Sequence, residues 1–429
     1  MFNFIRNVVV AVAEVVYGVV NDVVNWLTGL GAALPPWTWT ANSDPAAPAT
    51  DTDIDDRIKT YMRQHGVKAG QFSLFVDGSL RMSSAYTWGE SGYPVTQTSS
   101  VMRVASCSKA FTTAAILELL APPAGQPVIR PDDRVFDILL PPSLDPFPLP
   151  RDPRVQDITI QHLLEHTGGW NYRTGLNALN DWVFHLKQIG RELGLSGPTE
   201  KADFARFVLC NIDLDFDPGT RPAELFTLPG NATQRMDTYS NIGYVLLGMV
   251  VDARAGSYIG FLNSRVLRSI GVTDVSVGNT RREDALPNEV RYESAYMGPD
   301  ATRSPYDPRP ARLPYGGDGS RKEVMDSGGG LIMSANSLAR FIGTNNVFLG
   351  RLDATMLAQQ KQRTNATRYG AMPGTAAAAR CFQEKNGSKR YDMAIIFNKQ
   401  DMSKTDRDDD SNDFERLVRN LETRVAEVF

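Results

Sequence analysis

The sequence of 429 residues contains only three cysteines, and they lie far apart, at Cys107, Cys210 and Cys381. Their number is odd and no two of them form a Cys-x-x-Cys pair, so the sequence indicates neither a disulfide framework nor a cysteine zinc site. Cys107 is best interpreted as a small buried side chain.

The sequence also lacks a large excess of positive or negative charge. The formal net charge is −4 at pH 7, which gives no reason to expect a nucleic-acid partner. No internal repeat recurs at the periods typical of solenoids or propellers. The sequence Gly-x-Ser-x-Gly is absent as well, which argues against the nucleophile elbow of the α/β-hydrolases.

The apolar first 36 residues lack an uninterrupted hydrophobic run. Glu14, Asn21 and Asp22 break them up and Arg6 is the only early positive charge, so they match neither a membrane span nor a clean signal peptide. Polar residues recur at steps near seven, which predicts an amphipathic helix for residues 1–36. Such a helix could contact a membrane surface, a groove, another subunit or its own domain. This pattern favours a cytoplasmic or peripheral membrane location over secretion.

The length of the chain predicts two lobes, because 429 residues exceed the ~250–300 residues of a usual single core. Residues 37–52 are rich in Pro, Ala, Ser, Thr and Asp and are predicted to be a linker. We predict an α/β lobe formed by residues 53–125 and 300–429. Residues 126–299, with several helical patterns and little strand signal, form the predicted second lobe.

Local patterns predict several elements of the α/β lobe. Alternating apolar residues before Asp77-Gly78 predict a β-hairpin whose second strand covers residues 80–88. Residues 393–397 are a further strand candidate. A capping-box pattern at residues 412–415 and the apolar spacing after it predict an amphipathic final helix.

The stretch Val104-Ala105-Ser106-Cys107-Ser108-Lys109 opens a predicted helix that prolines end at residue 122. The spacing places Ser106 and Lys109 on one helix face. A serine hydroxyl becomes a good nucleophile when a base takes its proton, and a lysine can do so when burial and nearby positive charge lower its pKa. The free N–H groups of a helix N-terminus can bind an oxyanion. The alternative is a solvated helix start with a serine cap.

Two further stretches contain residues suited to this chemistry. Tyr239-Ser240-Asn241 precedes an apolar helix, where a phenol could relay protons and an amide could orient a lysine or a substrate carbonyl. In Tyr369-Gly370-Ala371-Met372-Pro373-Gly374, glycine would let a strand edge approach a ligand and supply one N–H group. The alternatives are a simple helix cap and an ordinary Gly/Pro loop.

The order and spacing of these three elements resemble the serine β-lactamase and penicillin-binding-protein superfamily. Within it, the chain most resembles the class C β-lactamase-like esterases and acyltransferases. The supporting stretches are Arg103–Ser106, His166–Gly169, Gly328–Gly330 and Gly370–Gly374. The resemblance implies an α+β fold, with an antiparallel sheet flanked by helices, an inserted mostly helical lobe and the site between them.

The resemblance also assigns roles. It makes Ser106 the nucleophile, Lys109 and Tyr239 the proton-transfer network, and Asn241 the group that orients Lys109 and the substrate. The N–H groups of Ser106 and Ala371 would form the oxyanion hole. The expected substrate is a small-molecule or peptide acyl compound, the expected reaction is hydrolysis or acyl transfer, and no cofactor is implied.

One motif departs from the family pattern. The third motif usually begins with Lys or His, followed by any residue and Gly, and here Arg368-Tyr369-Gly370 aligns with it. Either Arg368 supplies the positive charge, or Tyr369 replaces it with a hydroxyl.

A zinc peptidase is the main alternative, because His162-Leu-Leu-Glu165-His166 matches the inverted zincin pattern. The two histidines would share a helix face, and Glu200 or Glu224 would have to complete the site. A relative that kept the fold for binding only is a third possibility.

Removal of residues 1–36 should leave the catalytic lobes folded, because all the motifs lie beyond this segment. We expect the truncated protein to show a single cooperative melting transition and the esterase activity of the full chain. If the truncated protein fails to fold, the segment belongs to the core.

Overall fold

The structure is a computed structural model. It describes residues 37–122, 128–140, 150–170, 182–222, 225–227, 233–235, 238–280, 284–293, 321–345, 365–372, 374–384, 387–399 and 411–429. The helix predicted for residues 1–36 lies outside the described residues.

The described chain contains runs of strands and runs of helices. The strands are β1 (Thr38–Ser43), β2 (Ala69–Val76), β3 (Ser79–Gly89), β4 (Met102–Arg103), β5 (Leu225–Thr227), β6 (Thr233–Arg235), β7 (Ser276–Val277), β8 (Leu331–Met333), β9 (Ala366–Met372), β10 (Thr375–Gln383) and β11 (Arg390–Phe397). The helices are α1 (Thr52–His65), α2 (Ser108–Leu120), α3 (Val135–Leu139), α4 (Ile160–Leu164), α5 (Leu186–Glu192), α6 (Lys201–Asn211), α7 (Asn241–Ala255), α8 (Tyr258–Phe261), α9 (Ala335–Asn345) and α10 (Ser411–Val428).

The main sheet is antiparallel and has the strand order β1-β3-β2-β11-β10-β9. The predicted hairpin is confirmed, with Asp77 and Gly78 both at positive φ in the turn between β2 and β3. Every residue of β2 is buried, as expected for a central strand with both faces covered. The other described strands form two smaller sheets, β4-β8-β7 and β5-β6, and β4 contacts β10 and β11 of the main sheet.

Helices cover both faces of the main sheet. On one face, α1 and α10 bury apolar side chains such as Ile58 and Leu421 in a cluster with Phe72 and Ile395 of the sheet. On the other face α9 packs against β2 and β11. The predicted α+β architecture, an antiparallel sheet flanked by helices, is therefore confirmed.

The linker predicted for residues 37–52 is wrong in its first half. Residues 38–43 form β1, which pairs with β3 from Thr38 opposite Gly89 to Ser43 opposite Ser84. Trp39 stacks on Trp88 with ring centroids 5.6 Å apart. The Thr-Trp-Thr sequence has strand propensity, but the Pro- and Ala-rich residues that follow concealed it.

The described part of residues 126–299 is mostly helical, with only the short strands β5–β7. One core cluster runs from Phe204 and Val208 of α6 through α2 and α7 to Ile396 of the sheet. Because this core is continuous, the boundaries proposed for the two lobes stay a prediction.

Within the described residues, no single helix is long and apolar enough to cross a membrane. Residues 241–255 and 258–270 are long and apolar enough only when taken together, and the two helical segments are bent by 75° relative to each other.

Leu421 should contribute strongly to stability, because its side chain is fully buried between α10 and the sheet. Leu421→Ala should lower the free energy of unfolding by about 2–5 kcal/mol, measured by urea denaturation. The matched control is Asn420→Ala on the exposed face of the same helix, which should cost far less. Equal losses in the two variants would contradict this packing of α10.

Candidate active site

Ser106 lies in a tight turn ahead of α2. Residues Ala105–Cys107 form a 3₁₀ turn, and Ala105 has a φ of 46°, unusual for a residue with a side chain. The Ala105 carbonyl accepts a hydrogen bond from Ser108 Oγ at 2.7 Å, which braces this backbone. The helix predicted from Ser106 therefore begins slightly later, at Ser108, and the 3₁₀ turn before it holds the half-buried Ser106.

Lys109 has no exposed surface, and its ammonium donates to acceptors on three different elements. Nζ lies 3.1 Å from Ser106 Oγ, 2.5 Å from Asn241 Oδ1 and 2.5 Å from the carbonyl oxygen of Gly328. An ammonium has three N–H donors, so these contacts fix the position of Nζ. The predicted pairing of Lys109 with both Ser106 and Asn241 is present.

Tyr239 contacts the same hydroxyl. Its phenol donates to Ser106 Oγ at 2.7 Å, and Lys109 Nζ lies 4.9 Å from the centre of its ring. Ser106 Oγ thus contacts an ammonium and a phenol at once. Two groups that can exchange protons therefore lie within hydrogen-bonding distance of one potential nucleophile.

The Tyr-Ser-Asn motif is both a helix cap and a part of the site. Ser240 caps α7 by accepting the Gly243 N–H at 3.0 Å. Tyr239 precedes this cap and Asn241 is the first helical residue. Because the cap fixes the start of α7, it also fixes both side chains relative to Lys109.

His166 is a functional neighbour whose position the sequence reasoning missed. Its Nδ1 accepts the Ser240 N–H at 3.1 Å, and its ring centroid lies 4.7 Å from that of Tyr239. Burial, together with the nearby charges of Lys109 and Arg368, lowers the pKa of His166 well below its ordinary value. His166 is therefore a neutral acceptor that supports the Tyr239 backbone, and the His-Thr-Gly-Gly sequence was the signal for it.

Strand β9 passes very close to the nucleophile turn. A Cβ atom added to Gly370 would lie 2.1 Å from the Val104 carbonyl oxygen and 3.1 Å from Ser106 N. Only glycine permits this approach. The approach brings Ala371, the next residue, to the edge of the site. An oxyanion hole made by the N–H groups of Ser106 and Ala371 stays a prediction, which this position of β9 favours.

The pleat of β9 places the two candidate residues of the third motif on opposite faces of the sheet. Successive side chains of a strand point to opposite faces, and Tyr369 packs on the far face, 6.2 Å from Phe414 of α10 by ring centroids. The prediction that Tyr369 serves the site is therefore wrong. Arg368 lies close enough to His166 for its positive charge to help lower the pKa of that histidine, and its role as the charge of the third motif stays a prediction.

The geometry proposed for a zinc site is also wrong. Helix α4 ends at Leu164 and His166 has a φ of 58°, so His162 and His166 do not share a helix face. His162 Nδ1 accepts the Thr159 N–H at 3.3 Å as part of the cap of α4. In the part of the chain that is described, no three His, Cys, Asp or Glu residues are grouped for a metal ion, while Glu224 lies outside it.

The chain is similar in sequence to proteins of known family. The sequence model of the family described as Beta-lactamase matches residues 54–388. A protein described as fimbrial assembly protein FimD of serogroup D, from Dichelobacter nodosus, is 25% identical over 229 residues, which are 53% of this chain and 48% of that protein. The serogroup H1 protein from the same organism is 26% identical over 52% of this chain and 46% of its own. The match thus spans about half the length of these relatives.

Solved structures show the same fold at low sequence identity. The β-lactamase/D-alanine carboxypeptidase from Yersinia pestis, complexed with citrate, has a TM-score of 0.52 and 13% identity, with coverage of 87% of this chain and 99% of that one. The β-lactamase/D-alanine carboxypeptidase from Pseudomonas syringae has a TM-score of 0.50 and 14% identity, with coverage of 81% and 94%. At this identity the likeness shows the fold alone.

Lys109→Ala and Tyr239→Phe should each slow acylation by about 10²- to 10⁴-fold, because each removes one of the proton-exchanging groups at Ser106. Their effects should combine less than multiplicatively, since members of one proton network are not independent. Burst kinetics with an aryl ester would measure the acylation rate in both single variants and the double variant. Fully multiplicative losses would place one residue outside the network.

Proposed function

Because the chain belongs to the Beta-lactamase family, we propose that the protein is a serine hydrolase that forms a covalent acyl-enzyme on Ser106. The chain has the serine-hydrolase fold of that family. The observation that carries the proposal is the double contact at Ser106 Oγ, 3.1 Å from Lys109 Nζ and 2.7 Å from the Tyr239 phenol oxygen.

Acylation begins when Ser106 Oγ attacks the carbonyl carbon of an ester or amide. The hydroxyl proton passes to the deprotonated member of the Lys109–Tyr239 pair, an amine or a phenolate, as the new C–O bond forms. Negative charge develops on the substrate oxygen, which the N–H groups of Ser106 and Ala371 would stabilise. The network then returns the proton to the leaving oxygen or nitrogen as its bond to carbon breaks.

Deacylation repeats these steps with a new nucleophile. Water or an acceptor alcohol or amine loses a proton to the network and attacks the acyl carbon, and Ser106 Oγ leaves with a proton from the same network. Water gives hydrolysis, and another acceptor gives acyl transfer. The neutral His166 helps to keep Tyr239 in place for both steps, because its Nδ1 holds the adjacent Ser240 N–H.

The third motif favours simple esters over β-lactams as substrates. A lysine in that place normally helps to hold the carboxylate of the antibiotic, and here Arg368 takes the position, with a planar guanidinium of different geometry. Simple esters need no carboxylate clamp and have better leaving groups than amides. We infer that the natural substrate is a larger ester, thioester or amide, offered as a small molecule or a peptide.

A comparison of two chromogenic substrates tests this function. The wild-type kcat/KM for a short-chain p-nitrophenyl ester should exceed that for nitrocefin. Ser106→Ala should lose several orders of magnitude on the ester, because it removes the nucleophile and few packing atoms. A fluorophosphonate probe should label the wild-type protein at Ser106, as located by mass spectrometry.

Three results would contradict these proposals. Ester turnover within about tenfold of wild type in Ser106→Ala would show that Ser106 is not the nucleophile. A nitrocefin value equal to or above the ester value would refute the third-motif argument. A folded wild-type protein that no fluorophosphonate labels would instead indicate a relative that only binds its ligand.

A further inference from the structure

The acceptor that Gly328 offers to Lys109 belongs to the turn Asp326–Gly330. Two successive carbonyls of this turn face α2. The carbonyl oxygen of Ser327 accepts from Thr112 Oγ1 at 2.7 Å, and that of Gly328 accepts from Lys109 Nζ at 2.5 Å. Lys109 and Thr112 are three residues apart and lie on one helix face. The turn therefore contacts α2 on the face that holds the lysine.

A buried carboxylate holds the start of this turn. Asp326 is 5% exposed, and its Oδ1 accepts from the Ser327 backbone N–H at 2.6 Å and from Ser327 Oγ at 2.9 Å. Its Oδ2 lies 2.5 Å from Nζ of Lys201, the first residue of α6. Lys201 also contacts Asp252 of α7 at 2.8 Å. A Cβ on Gly248 would lie 2.1 Å from Ser327 Oγ, so α7 leaves the turn little room to shift.

The contacts that hold the Asp326–Gly330 turn depend on whether the Asp326 carboxyl is ionised. The titratable groups that face it are Lys201, Asp252 and Tyr258 of α8. Burial raises the pKa of Asp326 to about 6, and the positive charge of Lys201 opposes that rise. Near neutral pH the carboxylate is thus mostly ionised and paired. A charge buried in this way is costly unless its partner stays in place.

We propose that the Asp326–Lys201 ion pair is a positioning pair that holds the Gly328 carbonyl against Lys109 and so keeps the lysine in place for proton exchange with Ser106. Both side chains act through the backbone of the Asp326–Gly330 turn and are positioning residues. The inference rests on the proposed serine-hydrolase function of the same site.

Asp326→Asn and Lys201→Met test the pair in the full-length protein. Asparagine keeps the shape of the side chain and an acceptor for Ser327, and methionine keeps much of the lysine stem. Each variant should lower kcat for a p-nitrophenyl ester by about 10- to 100-fold, the effect of a displaced catalytic group, with little change in KM. The rate of Ser106 labelling by a fluorophosphonate should fall in parallel.

Asp252→Asn is the matched control, because it alters the other carboxylate bound to Lys201 and leaves Asp326 paired. This variant should keep a wild-type kcat. Thermal melting of every variant reports whether it is folded.

The pH profile of kcat distinguishes positioning from a general structural role. The wild-type profile should contain an inflection near pH 6, where Asp326 gains a proton and the ion pair weakens. Asp326→Asn should lose that inflection, since the titrating group is gone. Lys201→Met should move it to higher pH, because loss of the cation raises the pKa of the remaining carboxylate further.

Several outcomes would overturn the proposal. A wild-type kcat in both pair variants would do so, as would a loss of kcat in Asp252→Asn equal to that in the pair variants. A loss of kcat with an unchanged pH profile would also do so. Failure of both pair variants to fold would indicate a purely structural pair. The proposed function fails separately, when the wild-type protein is neither labelled at Ser106 nor active on the ester. A labelled, active wild type with unaffected variants refutes the positioning pair alone.

Discussion

An ammonium without exposed surface is stable only if protein groups replace the water that solvated it. Lys109 meets this condition with acceptors from three elements: Ser106 in the turn before α2, Asn241 at the start of α7 and Gly328 in the turn before β8. Each of these elements must therefore keep its place relative to the others. The hydrogen bonds that replace water around Lys109 are thus the same contacts that fix the geometry of the candidate site.

A second constraint is the short distance between strand β9 of the sheet and the turn that holds Ser106. Strand β9 can pass beside Ser106 only because Gly370 has no side chain. The pleat then places Arg368 towards the site and Tyr369 towards α10. The same strand thus directs one residue towards the candidate site and packs its neighbour, Tyr369, on the opposite face of the sheet.

The backbone beside Tyr239 is held both by the neighbouring Ser240 and by the distant His166. Ser240 caps its own helix, which is a local interaction, while His166 reaches the same backbone from a turn more than seventy residues earlier. His166 is kept neutral by burial and by the surrounding positive charges. A charged imidazolium would lose the Nδ1 acceptor, so the positive site itself preserves this hydrogen bond.

Local patterns predicted much of the molecule. The hairpin at Asp77-Gly78, the strand near residue 395, the amphipathic α10 and the pairing of Ser106 with Lys109 follow from turn chemistry, periodicity and spacing. These depend on residues close together in the chain. Strand β1 was missed because it is stabilised by its pairing with β3 and by Trp88, which lies about fifty residues further on.

The sequence alone determined which chemical groups are available: a serine and a lysine one helical turn apart, a Tyr-x-Asn pair and a glycine after Arg368 and Tyr369. Only the tertiary structure decided which of them meet. It brought Tyr239 to Ser106, turned Tyr369 away, ended α4 before His166 and placed Gly328 over Lys109. Those outcomes depend on contacts between residues up to about two hundred positions apart, and such contacts are set by packing of the whole core rather than by local preference.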